Sequence, residues 1–241
     1  MPTTIKKKHE AVVGKRIRRK EDPRLLTGTA TYVEDIELPN MHYASILRSP
    51  YPVAKIKNLD LETALQHPKV VAIFTGKDIS NLGPVPCGIS LPDLRIPHHH
   101  LLAQERVYYV GHPIAVVVAN DKYAARDAVD LIEIDFEPGP SVSDPEEALD
   151  ESATPVHPEY KNNVAFTHHQ EGGDVDAAFA EADVVVKERI ISQRLIPSPL
   201  EPRGTVATWN SGDKTLTVYS STQIPHILRS LLSSVLNLPE H

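Results

Sequence analysis

Alternation of apolar and polar residues with a period of two predicts short β-strands along much of the chain. The residues in these runs are largely β-branched or aromatic, and turn-forming residues separate the runs. The predicted strands are 29–33, 42–47, 70–75, the apolar end of 106–119, 131–136, 184–192, 205–209 and 215–220. Two of them, at 70–75 and at the end of 106–119, are nearly continuous apolar runs, which predicts buried strands. Asn-Ser-Gly-Asp-Lys at 210–214 predicts a hairpin turn.

Helices are predicted where apolar residues recur at the i, i+3, i+4 spacing of one helical face. The predicted helices are 60–66, 121–131, 174–182 and a segment that begins near Pro225 and carries Leu228, Leu231, Leu232 and Val235 on one side. Pro225 falls where a first helical turn tolerates proline. Asp174, and either Asn120 or Asp121, are placed to cap the helices that follow them.

The order of these elements predicts an α/β (α+β) fold. Strand, helix and strand follow one another between 106 and 136, which makes a split α/β unit, and Gly111 serves a turn. Residues 80–100 and 139–173 are rich in proline and polar residues, which predicts irregular surface connections. We therefore divide the chain into a basic arm (1–20), an α/β domain (21–140), a Pro-rich connection (141–173) and a further domain (174–241).

Composition narrows the class of protein. The chain has 241 residues, of which 41% are hydrophobic and 24% charged, enough for one large or two modest cores. The net charge of −7 gives no support for nucleic-acid binding, and residues 1–20 fit a solvated arm better than a phosphate-binding patch. The lone Cys87 excludes an internal disulfide or a cysteine-built metal site within this chain. With no run long enough to span a bilayer and no apolar signal region, we expect a cytoplasmic protein.

Two histidine-containing segments invite a metal site, and in both we favour a loop. The consecutive side chains of His98, His99 and His100 diverge in a strand or a helix, so they cannot all reach one ion. His168, His169, Glu171 and Asp174 match no known ligand spacing. We assign no metal ligand and no catalytic residue in this chain.

Gln223 is the candidate binding residue, because it lies where a predicted strand leads into a helix N-terminus. Free backbone N–H groups and the helix dipole favour an anionic or oxo ligand at such a place. The Gln amide is a neutral donor that can hold an oxygen without competing for the metal that carries it. A surface or capping role is the ordinary alternative for a glutamine in this position.

Several ordered motifs resemble one enzyme family. The motifs are L-L-T-G at 25–28, Y-V-E-D-I at 32–36, R-S-P at 48–50, G-H-P-I-A-V-V-V-A at 111–119, Q-R-L-I-P-S-P-L-E-P-R at 193–203, S-T-Q at 221–223 and L-P-E at 238–240. Together they resemble the large subunits of the molybdenum hydroxylases, which include xanthine dehydrogenase, aldehyde oxidase and aerobic carbon monoxide dehydrogenase. The form of the 193–203 motif is most similar to the carbon monoxide dehydrogenase branch.

The resemblance implies an architecture and one site residue. It implies an α/β hammerhead domain followed by the beginning of a molybdopterin-binding domain. The family's S-T-Q glutamine hydrogen-bonds an oxo ligand of molybdenum, and the matching residue is Gln223. Glu201 matches a structural turn rather than the family's catalytic glutamate, and Cys87 does not match the active-site cysteine of the carbon monoxide branch. In the family the Gly-rich loop and the catalytic glutamate lie beyond the position of His241.

Three hypotheses follow from this resemblance. In the first, the chain is the N-terminal part of an oxidoreductase large subunit. Its site is completed by another polypeptide or by further sequence, it binds molybdopterin only in the complete assembly, and its partners include an FAD-binding medium subunit and an iron–sulfur small subunit. In the second, it is a stand-alone hammerhead scaffold or assembly module. The third, a different small enzyme, lacks any self-contained acid–base or nucleophilic set.

Overall fold

A computed structural model describes residues 12–240 as two compact units. The smaller unit contains residues 12–38 and Ile196–Ser221, and the larger unit contains Pro39–Leu195 and residues 222–240. Of the basic arm predicted at 1–20, residues 1–11 lie outside the described part of the chain, and residues 12–20 are exposed without helix or strand. The domain boundaries drawn from the sequence stay a prediction.

The larger unit has two three-stranded antiparallel sheets. Its strands are β1 (Tyr43–Arg48), β2 (Ala54–Asp60), β3 (Val70–Thr75), β4 (Arg106–Val107), β5 (Pro113–Ala119) and β6 (Glu133–Pro138). One sheet has the order β1-β5-β3 and the other β4-β2-β6. The predicted α/β (α+β) class is confirmed. The two strands of the split α/β unit, β5 and β6, belong to different sheets.

Five α-helices lie among residues 12–240, one in the smaller unit and four in the larger. They are α1 (Asp22–Leu26), α2 (Glu62–Leu65), α3 (Lys122–Asp130), α4 (Val175–Glu181) and α5 (Pro225–Leu236). Of the two candidate caps of α3, the structure selects Asp121, whose carboxylate accepts hydrogen bonds from the Tyr123 and Ala124 backbone N–H groups at 2.9 Å. The predicted Asp174 cap of α4 is confirmed, because its carboxylate accepts a hydrogen bond from the Ala177 N–H at 2.9 Å. No helix among residues 12–240 is long and apolar enough to cross a membrane.

The core of the larger unit forms where β5 is covered on both faces. Val117 is fully buried with Ala128 and Val129 of α3, while Ile114 is fully buried with Ala54 and Val107 of the second sheet. The small residues of α3 let the helix approach the sheet closely. The predicted buried strand at the end of 106–119 is thus confirmed for β5.

The smaller unit is built around a hairpin of β7 (Thr205–Asn210) and β8 (Thr215–Ser220). Its turn is closed by the Asn210 side chain, which accepts a hydrogen bond from the Gly212 N–H at 2.9 Å, and by Lys214 at φ 58°. Val206 is buried, whereas most of the hairpin is exposed. Both strands and the turn lie where the sequence predicted them.

Two predicted strands, those that follow α1 and α3 in the chain, differ from the structure. Residues 29–33 form no strand: Gly28 turns the chain at φ 70°, the Thr29 and Ala30 N–H groups bond to the Arg24 carbonyl at 2.9 and 3.1 Å, and Val33–Asp35 is a 3₁₀ turn. The predicted strand 131–136 begins two residues later, because Leu131 and Ile132 close α3.

The strand predicted at 70–75 is present but is less buried than expected, whereas the strand predicted at 184–192 is absent. Strand β3 is an edge strand of its sheet, and 52% of Val71 and 44% of Phe74 are exposed, so it is not a buried strand. Residues 184–192 contain no strand at all. An apolar run by itself does not say whether a neighbouring strand is present on each side.

His112 is the buried titratable group of this core, with 2% of its surface exposed. Its Nδ1 accepts a hydrogen bond from the Tyr108 N–H at 3.2 Å, so the neutral ring carries its proton on Nε2, which has no partner among the described residues. Tyr109 stacks on the ring at 4.5 Å. Burial, followed by repulsion from His99 and His100, lowers the pKa of His112 from 6.5 to about 4.

We expect Val117→Ala to destabilise the larger unit by about 2–3 kcal/mol, because it leaves a cavity beside α3. Val71→Ala on the edge strand removes the same atoms from a half-exposed site, and its effect should stay within about 0.5 kcal/mol. Urea denaturation followed by circular dichroism measures both values. Equal losses in the two variants would contradict the central position of β5.

We expect the free energy of unfolding to decrease as the pH falls from about 6.5 to about 4. The unfolded chain takes up a proton on residue 112 near pH 6.5, whereas the folded chain resists it until about pH 4, so the folded state loses stability in this window. The loss attributable to His112 is about 3 kcal/mol. His112→Asn keeps an acceptor for the Tyr108 N–H and does not titrate, so its urea midpoints should depend less on pH. An unchanged slope in this variant would exclude His112 as the cause.

Candidate functional site

Gln223 lies in the larger unit, two residues before the start of helix α5 at Pro225. The Thr222 hydroxyl accepts a hydrogen bond from the Ile224 N–H at 3.2 Å, which shapes the chain just before the helix. Gln223 itself is exposed, and its side chain makes no hydrogen bond to any residue between 12 and 240. Its amide is therefore available to a ligand.

Helix α5 begins without a side-chain cap. Pro225 occupies the first turn, and within the described chain no side chain accepts a hydrogen bond from an N–H group of that turn itself. The positive end of the helix dipole therefore faces the residues just before the helix, which include Gln223. The amide and this helix end together favour an oxygen ligand with partial negative charge.

The other end of α5 is fastened within the same unit. The Gly83 N–H donates to the Val235 carbonyl at 3.1 Å, and Asn237 ends the helix in the left-handed conformation at φ 53°. Arg229 forms an ion pair with Glu240 at 3.1 Å. Leu228, Leu231, Leu232 and Val235 are half-buried, as the spacing predicted, whereas about half of Ile224 and Ile227 is exposed.

These residues can supply one contact to a metal cofactor, but they do not form a complete binding site. The Gln223 amide can donate to an oxo group, which is the chemistry expected of it. No set of three or more His, Cys, Asp and Glu side chains within residues 12–240 is arranged to hold a metal ion. A metal at this place would need its ligands from a cofactor or from another segment.

Glu201 has a structural contact in the smaller unit. Its Oε1 accepts a hydrogen bond from the Val33 N–H at 3.0 Å, at the start of the 3₁₀ turn. The carboxylate thus caps a turn, which agrees with the structural role expected of it.

The remaining sequence candidates are dispersed. The rings of His98 and His100 pack in a T-shaped arrangement with their centroids 4.4 Å apart, whereas His99 Nε2 lies 3.3 Å from the Tyr109 hydroxyl. Further along the chain, His169 pairs with Glu171 at 2.6 Å on an exposed loop. Cys87 is exposed, and its thiol lies 3.7 Å from the Ile89 carbonyl.

His112 was missed by the sequence reasoning. It appears in the sequence as one polar residue before an apolar strand, which is the ordinary position of a turn residue. Only the packing of Tyr109 and His99 around it shows that it is buried. Burial of a single polar side chain is set by contacts distant in sequence, so no local pattern marks it.

Two protein-family models match the chain. Residues 27–140 match the aldehyde oxidase and xanthine dehydrogenase a/b hammerhead domain, and residues 156–241 match the molybdopterin cofactor-binding domain. Gln223 and α5 fall within the second match. The cofactor of that domain is molybdopterin, as the resemblance implied.

Individual relatives support the same family assignment as the two family models. The large chain of carbon monoxide dehydrogenase from Afipia carboxidovorans is 35% identical over 95% of this chain and 29% of that protein. The gamma subunit of the 6-hydroxypseudooxynicotine dehydrogenase complex from Paenarthrobacter nicotinovorans is 34% identical over 96% of this chain and 29% of that protein. The crystal structure of quinoline 2-oxidoreductase from Pseudomonas putida superposes with a TM-score of 0.88 at 30% identity, covering 96% of this chain and 30% of that one.

The chain thus spans about three tenths of the length of the relatives that it matches. These relatives are named as a large chain, a large subunit or a subunit of an enzyme complex. The hammerhead match is followed along the chain by the cofactor-domain match, and the superposition covers both. The chain therefore belongs to the molybdenum hydroxylase family of xanthine dehydrogenase, aldehyde oxidase and carbon monoxide dehydrogenase, and it corresponds to the N-terminal part of the large subunit.

Proposed function

We propose that this chain takes part in a molybdenum hydroxylase reaction by holding Gln223 against an oxo ligand of the cofactor. The unpartnered, exposed amide of Gln223 at the uncapped start of α5 carries the proposal. Its position within the segment that matches the molybdopterin cofactor-binding domain supports it. The rest of the site would come from another polypeptide or from further sequence of the same subunit.

The contribution of this chain is orientation. When bound, the molybdenum cofactor supplies the hydroxylation chemistry and accepts the electrons. The Gln223 amide would donate a hydrogen bond to an oxygen of the bound cofactor, and the positive end of the α5 dipole would favour negative charge there. The hydrogen bond from the Ile224 N–H to Thr222 and the one from the Gly83 N–H to Val235 fix the two ends of α5. They therefore limit the movement of the Gln223 amide.

The proposal extends to partners and location. An FAD-binding medium subunit and an iron–sulfur small subunit would carry electrons away from the site. A relative named as the gamma subunit of a dehydrogenase complex supports an assembly of this kind. A cytoplasmic location stays a prediction.

We expect Gln223→Ala to lower the turnover of the native complex about 10- to 100-fold without loss of molybdenum, because one hydrogen bond at the metal is removed. The complex is purified from its source by a tag on this chain. Oxidation of carbon monoxide, an aldehyde and an N-heterocycle is followed with an artificial electron acceptor, and molybdenum is measured alongside.

Gln170→Ala is the matched control, since Gln170 is also exposed and makes no hydrogen bond among the described residues. It should retain the turnover of the unmodified complex. Equal activity in the Gln223 and Gln170 variants would remove Gln223 from the site. A metal-free particle without a second large-subunit polypeptide would favour the scaffold alternative.

A further inference from the structure

Residues 184–195 of the larger unit form a connection whose backbone is unpaired. No helix, strand or turn includes them, and none of their N–H or C=O groups bonds to another backbone group or side chain among residues 12–240. Such a row of free donors and acceptors is what an unpaired strand edge presents to another chain.

Six of the twelve side chains in this segment are apolar, and all six are exposed. The exposed fractions are 78% for Val184, 57% for Val185, 75% for Val186, 88% for Ile190, 66% for Ile191 and 81% for Leu195. β-Branched residues at this density favour a strand that is packed on at least one face. Two exposed apolar groups, 184–186 and 190–191, on either side of three charged residues indicate an interaction surface rather than an ordinary loop.

Near its middle, the segment has a side-chain contact to another part of the larger unit. The Arg189 guanidinium donates to the Glu146 carboxylate at 2.8 Å and 3.3 Å, a two-point contact between exposed side chains. This contact uses the side chain of Arg189 and leaves its backbone free. The segment is therefore presented at a defined place with its N–H and C=O groups still available.

We propose that residues 184–192 become a β-strand by pairing with the polypeptide that carries the remainder of the molybdopterin-binding domain. This rests on the proposed function. The chain spans about three tenths of its relatives' length, and the segment lies inside the stretch that matches the cofactor-binding domain, so the missing neighbour belongs to that domain. Main-chain hydrogen bonds from an added strand supply affinity, and the alternate side chains supply specificity.

The test is hydrogen–deuterium exchange of the backbone amides, measured on the chain alone and on the native particle purified by a tag on this chain. Pairing should slow exchange in 184–192 on the order of 100-fold in the particle, while the chain alone exchanges rapidly. Mass spectrometry of the same particle shows whether a second polypeptide with the rest of the cofactor-binding domain is present.

The outcomes separate this inference from the proposed function. A particle that contains the second polypeptide and molybdenum but still exchanges rapidly at 184–192 overturns the strand pairing and leaves the proposed function intact. A particle that contains neither molybdenum nor the rest of the cofactor-binding domain, on a second polypeptide or on further sequence of the same subunit, overturns both. Protection that appears in the chain alone and grows with its concentration indicates pairing between two copies, which also overturns the inference.

A pair of variants tests the apolar contribution. Ile190→Asp should reduce the fraction of second polypeptide that co-purifies, through an affinity loss of about 10-fold or more, because it places a charge within the paired strand. Leu149→Asp makes an equal change of size and charge at another exposed apolar residue, outside the segment. Both variants should keep the circular dichroism spectrum of the unmodified chain. Equal losses in the two variants would contradict a specific role for the segment.

Discussion

Burial of β5 between two partner strands and beneath α3 is the interaction on which the larger unit depends. Ile114 and Val117 point to opposite sides of this strand, and each is fully buried in a different apolar cluster. The same strand follows directly after His112, whose ring is therefore drawn into the core. A well-packed centre of this kind gives the hammerhead portion a core of its own.

The part that matches the cofactor-binding domain is built differently. Neither α4 nor α5 contains a buried residue, and the run from Val184 to Leu195 is exposed. Its local structure is nevertheless well defined, with a capped α4 and a left-handed ending of α5 at Asn237. Such a combination of defined local structure and uncovered apolar surface is expected of a domain whose remaining elements are supplied elsewhere. It also leaves Gln223 accessible.

The sequence predicted those features that local chemistry decides. The Asp121 and Asp174 caps, the hairpin turn at 210–214 and the apolar face of α5 were all correct because the residues that form them are neighbours in the chain. The strand at 184–192 was wrong because a strand requires a partner, and no local pattern shows whether one is present. For Gln223 the position came from the sequence pattern, whereas its role came only from the family motif.

The central claim is that this chain forms part of a molybdenum hydroxylase, and its most direct test is the subunit and metal content of the native particle. The chain would be purified from its source by a tag, and the particle analysed for molybdenum, pterin and polypeptides. The account predicts a stoichiometric molybdenum–pterin cofactor and the rest of the cofactor-binding domain in one complex. A monodisperse particle of this chain alone, without molybdenum or pterin, would contradict it.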